Sequence, residues 1–303
     1  MSDVVARAVR VLRAGGVVAI PTETVYGLAA DVANADAIAR VYAIKGRPPD
    51  HPLIVHAHHV DALRGYIAEL TPQLRALAGR FWPGPLTAIV ARGPRTPRGV
   101  TGGQDTVAVR IPEHPLARDI LAAFGGALAA PSANRFGRIS PTTAEHVRAD
   151  LGGEVDLIVD GGPSRVGVES TIVDLTGAVP AVLRAGAITP SQLGDALGTA
   201  VVTRVGGTVR APGMLRSHYA PRARVVLTAA DAREREARER AANGERVALL
   251  TLPDDATASA ATLYATLRAL DQDGYDTIVA TLPADTEANA AVRDRLTRAA
   301  APR

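Results

Sequence analysis

The chain has 303 residues, 47% of them apolar and 21% charged, with a formal net charge of +3 and no cysteine. That length exceeds the usual span of one compact core, so a second, smaller domain is expected, and the missing cysteines exclude disulfides, thiol nucleophiles and thiolate metal sites. No apolar run approaches the roughly 20 residues that cross a bilayer, and "VVARAVRVLRA" near the start reads as an Arg-punctuated amphipathic helix rather than a signal peptide, so a soluble cytoplasmic protein with no membrane partner is expected.

In chain order, the pattern predicts a helix over 4–14 and a strand over 17–20. The strand breaks into "PTETVY", after which the chain is expected to resume as a helix. Strands follow at 53–55, 86–90, 107–111, 127–130, 157–159, 171–175 and 179–183. Helices fall at 35–43, 60–68, 72–80, 116–123, 143–150 and 190–197, with Gly15 and Gly79 read as C-terminal caps. Short apolar runs alternating with amphipathic helices define an α/β domain over 1–200. The segment 201–224, "VVTRVGGTVRAPGMLRSHYAPRAR", has a Gly-Gly, two Ala-Pro dipeptides and no periodicity, and reads as a linker. Beyond it, strands at 225–227, 247–252 and 277–282 alternate with helices at 231–242, 259–270 and 287–300. They predict a small βαβαβα domain over 225–303 with a parallel sheet. In its run "DAREREARER", Glu234 with Arg238 and Glu236 with Arg240 stand at helical spacing, as on a self-paired solvated face.

Charge is unevenly divided. Residues 1–200 hold 19 basic and 18 acidic side chains, 201–224 hold five arginines and no acid, and 225–303 hold ten arginines against 13 acids. Lys45 is the one lysine among 34 basic residues. An ammonium is a compact point charge and a guanidinium a planar fork, so Lys45 is a candidate for a task arginine does badly.

Polar clusters recur at strand ends, where open α/β sheets bind ligands. The run ending at Ile20 delivers Pro21, Thr22, Glu23 and Thr24. "AIKGRPPDHPLIVH" sets Lys45, Arg47 and His51 before a strand and His56 at its end; "ALAAPSANRFGRIS" supplies Ser132, Asn134 and Ser140. "GVESTIVDL" places Glu169, Ser170 and Thr171 at a strand entrance, and "AVLRAG" ends on Arg184. Each alone is ordinary turn or capping chemistry. Together they suit a polyphosphate and a small zwitterion: Arg47 and Arg184 as bidentate phosphate ligands, Lys45 as a neutralising charge, Arg110 for a carboxylate, hydroxyls for orientation. No GxxxxGK[ST], GxGxxG or GxSxG occurs, which leaves catalysis by positioning and charge neutralisation. Four histidines, His51, His56, His58 and His59, lie close in sequence, but without cysteine or HExxH they predict no metal site.

The ordered motifs "PTETVYGL", "KGRPPDHPLIVH", "FWPGPLT", "TVAVRIPEHP", "PSAN", "GVESTIVDL" and "LRAG" together resemble the threonylcarbamoyl-AMP synthase family, of YrdC-like fold. "APGMLRSHYAP" resembles the linker of its two-domain members, and the tail resembles their Rossmann-like C-terminal domain. The resemblance implies a twisted mixed sheet with flanking helices and a nucleotidyltransferase. That enzyme condenses L-threonine, bicarbonate or CO2 and ATP into threonylcarbamoyl-AMP and pyrophosphate, with Mg2+ carried by ATP. Its product feeds a downstream transferase machinery that modifies tRNA. By motif, Thr24, His56, Arg110, Ala130 and Ser170 match threonine-contacting positions. Arg47, His51, Thr106, Ser132, Ser140, Arg184 and Tyr219 match positions on the ATP side, with Asn134 and Lys45 as neighbours; Lys45 and Arg47 are the expected catalytic pair. His51 departs from the small amide or hydroxyl residue expected there. The linker is read either as a solvated tether or as a lid in which Arg216, His218 and Tyr219 fold over the phosphates.

Two alternatives stay open on sequence. A YrdC-like fold can be a double-stranded RNA binder, against which stand the near-neutral residues 1–200 and only 3% aromatics. Carbamoyl-adenylate chemistry of the hydrogenase-maturation type uses the same fold with zinc-finger cysteines, which this chain lacks.

Overall fold

The computed structural model describes residues 2–204, 211, 213 and 218–302. Its first part runs α1 (Asp3–Arg13), β1 (Val18–Ile20), β2 (Gly27–Asp31), α2 (Ala35–Lys45), β3 (Ile54–His56), α3 (Pro72–Phe81), β4 (Leu86–Ala91), β5 (Thr106–Arg110), α4 (Pro115–Phe124), β6 (Leu128–Ala129), α5 (Ala144–Leu151), β7 (Leu157–Ile158), β8 (Thr171–Asp174), β9 (Ala181–Arg184), α6 (Pro190–Leu197) and β10 (Val202–Thr203). Among the described residues these strands make one mixed sheet in the order β10-β9-β8-β4-β5-β3-β6-β2-β1-β7. Pairs β1/β7, β3/β5, β4/β8 and β9/β10 are parallel and the others antiparallel.

The sheet is buried on both faces, which accounts for its continuous apolar runs. Side chains alternate across it: Val17 and Ala19 join one core with Ile38 and Val41 of α2 and Leu74 and Leu77 of α3, while Val18 and Ile20 join another with Val5, Val9 and Leu12 of α1 and Ile120 of α4. Each such leucine or isoleucine, fully buried, stabilises the fold by about 1.5–3 kcal/mol. Local chemistry sets the helix ends. The Asn34 side chain accepts from Ala37 N to start α2, and Gly46, at φ +62°, ends it in the left-handed region that favours glycine. Thr189 and Gln192 form a capping box on α6.

The second part, β11 (Arg224–Leu227), α7 (Arg233–Ala242), β12 (Val247–Leu249), α8 (Ala256–Gln272), β13 (Thr277–Ala280) and α9 (Ala290–Ala300), forms a parallel sheet in the order β11-β13-β12. Helix α7 carries the expected surface pairs, Glu236 with Arg240 at 2.6 Å and Glu234 with Arg238 at 3.9 Å. Its core is shared: Val25, Ile139, Val166 and Val168 of the first part pack with Leu263, Tyr264, Val292 and Leu296.

Four expectations are corrected. Gly27–Asp31 is a strand hairpinned to β1, not the start of a helix; its sequence, GLAAD, lacks the β-branched residues that mark strands. The helix expected over 60–68 is a single 3-10 turn, Val60–Leu63, because Gly65 at φ +81° turns the chain away. Gly79 lies inside α3, which runs on to Phe81. Both ends of the expected linker belong to sheets, Val202–Thr203 pairing with β9 and Arg224 with Thr277 of β13.

Candidate active site

The strand ends converge on one cavity. It is lined by Thr22, Thr24, Arg47, His56, Arg110, Ala130, Ser132, Glu169, Ser170, Arg184, Gly213, His218 and Tyr219, with Val25, Gly27, Ile54 and Pro131 between them. His56 and Arg110 are register partners on the parallel strands β3 and β5, which sets their side chains next to one another. Thr24 comes from the turn between β1 and β2, and Ser132 from the loop after β6. Ser170 precedes β8, and Arg184 ends β9 beside it.

One end of the cavity is built around Arg110, only 4% exposed. Its Nη2 donates to Glu23 Oε1 at 2.7 Å, its Nη1 to Thr24 Oγ1 at 2.8 Å and its Nε to Gly84 O at 3.2 Å. Glu23 also accepts from Glu113 N at 3.1 Å, so the carboxylate fixes the guanidinium and offsets its buried charge. His56 Nδ1 lies 3.0 Å from Ile54 O, a partner that can only accept, so Nδ1 carries the proton and Nε2 is left as an acceptor. Burial, with Arg110 second, pushes its pKa down to about 3, so the ring is neutral.

The other end is cationic. Arg184 donates through Nε to Ser170 O and through Nη2 to Ser170 Oγ, both at 3.0 Å, and Ser170 Oγ is 2.7 Å from Thr87 Oγ1. Arg47 donates to His51 O at 3.3 Å and Pro52 O at 2.9 Å, and its guanidinium lies over the Phe136 ring. Burial, against the attraction of Tyr42, lowers its pKa to about 10, which leaves it charged. Tyr219 closes this end. It is a non-glycine residue at φ +62°, 1% exposed, and its hydroxyl has no hydrogen-bond partner among the described residues. Gly213, at φ +87°, admits it: a Cβ there would stand 2.2 Å from the Tyr219 hydroxyl. The cavity encloses about 50 Å³, space for a water or two, whereas pockets holding drug-sized ligands measure roughly 300–1,000 Å³.

Of the residues expected from sequence, Thr24, Arg47, His56, Arg110, Ala130, Ser132, Ser170, Arg184 and Tyr219 line this cavity. The other five stand off its wall. Lys45 is 3% exposed and spans the carbonyls of Ser132 (2.5 Å) and Asn134 (2.7 Å), a space that fits an ammonium better than a fork; it braces the loop that presents Ser132. Burial, then Arg47, lowers its pKa well below the usual lysine value. Asn134 donates to the carbonyls of Arg135 and Arg138, both at 2.8 Å, within the same loop. Ser140 lies behind the wall and donates to Glu169 at 2.5 Å. His51 packs edge-on against Phe136, which in turn contacts His218. Thr106 sits at the opposite end of β5 from Arg110, four residues or about 13 Å along the strand. Arg216 lies outside the described residues.

The expectations passed over Thr87 and Gly213, and Tyr264 and Arg295 from the second part; Thr22 and Glu169 stood in the strand-end clusters and His218 in the expected lid, but none of the three was assigned a ligand contact. Glu169 was detectable as an acid beside Ser170 in a hydroxyl-rich strand entrance. Nothing in local pattern marks Arg295, 126 residues away from the Glu169 it binds.

The fold and the cavity define a class: a YrdC-like α/β domain whose loops gather arginines and hydroxyls, with a small parallel-sheet domain behind them. Residues 10–186 match the Sua5/YciO/YrdC family, described as "telomere recombination", and residues 188–301 match the "threonylcarbamoyl-AMP synthase, C-terminal domain" family. The chain is 38% identical to the threonylcarbamoyl-AMP synthase of Pyrococcus abyssi, covering 95% of this chain and 91% of that one. It is 39% identical to the one from Bacillus subtilis, covering 98% and 92%. The crystal structure of P. abyssi Sua5 complexed with L-threonine superposes with a TM-score of 0.93 at 36% identity, covering 98% of this chain and 94% of that chain. The chain therefore belongs to the threonylcarbamoyl-AMP synthase family.

Proposed function

We propose that this chain condenses L-threonine, CO2 derived from bicarbonate, and ATP into threonylcarbamoyl-AMP and pyrophosphate, a nucleotidyl transfer whose product supplies a tRNA-modifying transferase. The observation that carries it is the two-ended cavity, with a held guanidinium and an imidazole acceptor at one end and two buried arginines among hydroxyls at the other. It supports a threonine carboxylate on Arg110 and Thr24, and a threonine hydroxyl or ammonium on His56 Nε2. Ser132, Arg47 and Arg184 then face the phosphates.

The reaction needs two bonds made in sequence. The threonine nitrogen, as the free amine, attacks the carbon of CO2 and gives up one proton to solvent, forming the N–C bond of a carbamate as one C–O π bond becomes a carboxylate lone pair. A carbamate oxygen then attacks the α-phosphorus, and the bond from that phosphorus to its β-bridging oxygen breaks, the electron pair leaving with pyrophosphate. The protein's part is positioning and charge neutralisation, since His56 is held neutral with little basicity and Glu169 is ion-paired. Magnesium enters as part of the ATP complex. Glu169, the carboxylate on the cavity wall, is taken up by Ser140, Tyr264 and Arg295, and no group of three metal-ligating side chains occurs among the described residues.

His218 and Tyr219 act as the lid. The enclosed space is too small for ATP with Tyr219 in place, so nucleotide entry requires this segment to withdraw, and its return excludes water from a labile acyl-phosphate anhydride. The double-stranded RNA reading finds less support, because Arg47, Arg110 and Arg184 are spent inside the cavity rather than displayed along a surface. Incubation with labelled bicarbonate, ATP and threonine tests the proposal. Label in an adenylate that forms only when all three are present is expected; label independent of threonine contradicts it.

A further inference from the structure

The Val166–Ser170 stretch, which supplies two cavity-wall residues, is clamped by the C-terminal part. Val166 and Val168 are packed in its core, and a Cβ on Gly167, at φ +74°, would stand 2.5 Å from the backbone of Ala261 in α8. Glu169, which follows Val168, accepts from Tyr264 at 2.9 Å, from Arg295 Nε at 2.9 Å and from Ser140 at 2.5 Å. Arg295, on α9, is completely buried, and its guanidinium also lies over the Tyr219 ring, 4.9 Å from the centroid. The Tyr264 ring also packs near Tyr219, with 5.8 Å between the ring centroids.

We propose that Arg295 is a positioning residue of the active site, holding at once the Glu169 carboxylate in the wall and the Tyr219 ring in the lid, so that the C-terminal domain shapes the nucleotide end of the cavity. This rests on the adenylate-forming reading above.

Stability alone is a poor reason for such a residue. A buried ion pair is commonly neutral or worse against an apolar replacement of equal volume, and the Nη2 amino group of Arg295, with its two N–H donors, has no hydrogen-bond partner among the described residues. What an arginine supplies, and an apolar side chain cannot, is a flat cation that serves a carboxylate and an aromatic face together. The threonine end is built differently, from Arg110, Glu23, Thr24 and His56, none of which touches α8 or α9 through the bonds described above. The two ends should therefore respond differently to loss of Arg295.

The test compares wild type with Arg295→Met, Glu169→Gln and the double variant, measuring KM for ATP and for threonine, kcat, and the melting midpoint. Arg295→Met removes the arginine that pairs directly with the buried Glu169, leaving Arg184 as the remaining cation that acts on it, and is expected to melt earlier. The double variant removes both members of the Arg295–Glu169 pair, leaves Asp294 with Arg298, and keeps the test open should the single variant fail to fold. The expected result is a double variant whose midpoint returns toward wild type while kcat/KM for ATP stays down about 100-fold and KM for threonine stays within threefold. Recovery of ATP use together with the midpoint, or equal loss at both substrates, overturns the inference and leaves the functional reading intact. A folded wild type without threonine-dependent pyrophosphate release overturns that reading and, with it, the inference.

Discussion

Acidification should unfold this protein through two histidines before its carboxylates matter. His56 is 2% and His218 6% exposed, and burial above all holds each pKa down to about 3. In the unfolded chain each returns to about 6.5. Both folded values are depressed, so the unfolded state takes up protons first, and stability falls as pH drops below 6.5 toward 3. At pH 5 an unfolded histidine is almost fully protonated and a folded one with a pKa of about 3 is not, a difference of about 2 kcal/mol for each ring, or roughly 4 kcal/mol together, out of the 5–15 kcal/mol typical of a domain. Glu169, held at about 2 by Arg295, Arg184 and Ser140 against the opposing effect of burial, adds almost nothing above pH 5. The half-buried His146, at about 4, is also mostly neutral at pH 5 and adds a term of comparable size in the same direction, reduced by its partial exposure to solvent. Urea unfolding between pH 8 and pH 5 measures the loss, and calorimetry in two buffers of different ionisation enthalpy counts the protons, about two from these rings at pH 5. His56→Gln should remove one proton and between about a third and a half of the loss. A stability that stays level down to pH 5, or a His56→Gln variant with an unchanged slope, refutes the assignment of a neutral, acceptor-bearing His56.

Three further outcomes follow from the site. Arg110→Lys keeps the charge but loses the fork shared between Glu23 and Thr24, and should raise KM for threonine at least tenfold with KM for ATP little changed in initial-rate assays. Tyr219→Phe removes a buried hydroxyl without a partner among the described residues, so the melting midpoint should hold or rise slightly while pyrophosphate release drops at least tenfold; an unchanged rate removes Tyr219 from the reaction. Chelation of magnesium should abolish turnover but leave calorimetric threonine binding intact, since the proposed threonine contacts are the side chains of Arg110, Thr24 and His56.

The fold was legible where burial leaves a periodic mark. The predicted helix over 190–197 coincides with α6, and every predicted strand is observed within two or three residues at its ends. Gly27–Asp31 escaped because small residues pack as well in a central strand as in a helix, and the choice is made by pairing with β1. The site was legible at strand ends, where apolar runs give way to hydroxyls and arginines. It was not legible across the domain contact: the three groups on Glu169 come from positions as distant as Ser140, Tyr264 and Arg295, and no local signal says that α8 and α9 turn toward it. Lys45 shows the limit of composition as a guide. Its singularity drew attention to a cation, and in the structure its ammonium is held by the carbonyls of Ser132 and Asn134, contacts that composition does not foretell.

The central claim is that one cavity brings threonine and ATP together, and the most direct measurement is pyrophosphate release from ATP in the presence of bicarbonate with each amino acid in turn. The account predicts release that requires threonine, falls sharply with serine or valine, and is lost in an Arg110→Lys, Arg184→Met double variant that still folds. Release at the same rate without any amino acid, or salt-sensitive RNA binding in place of release, would contradict it.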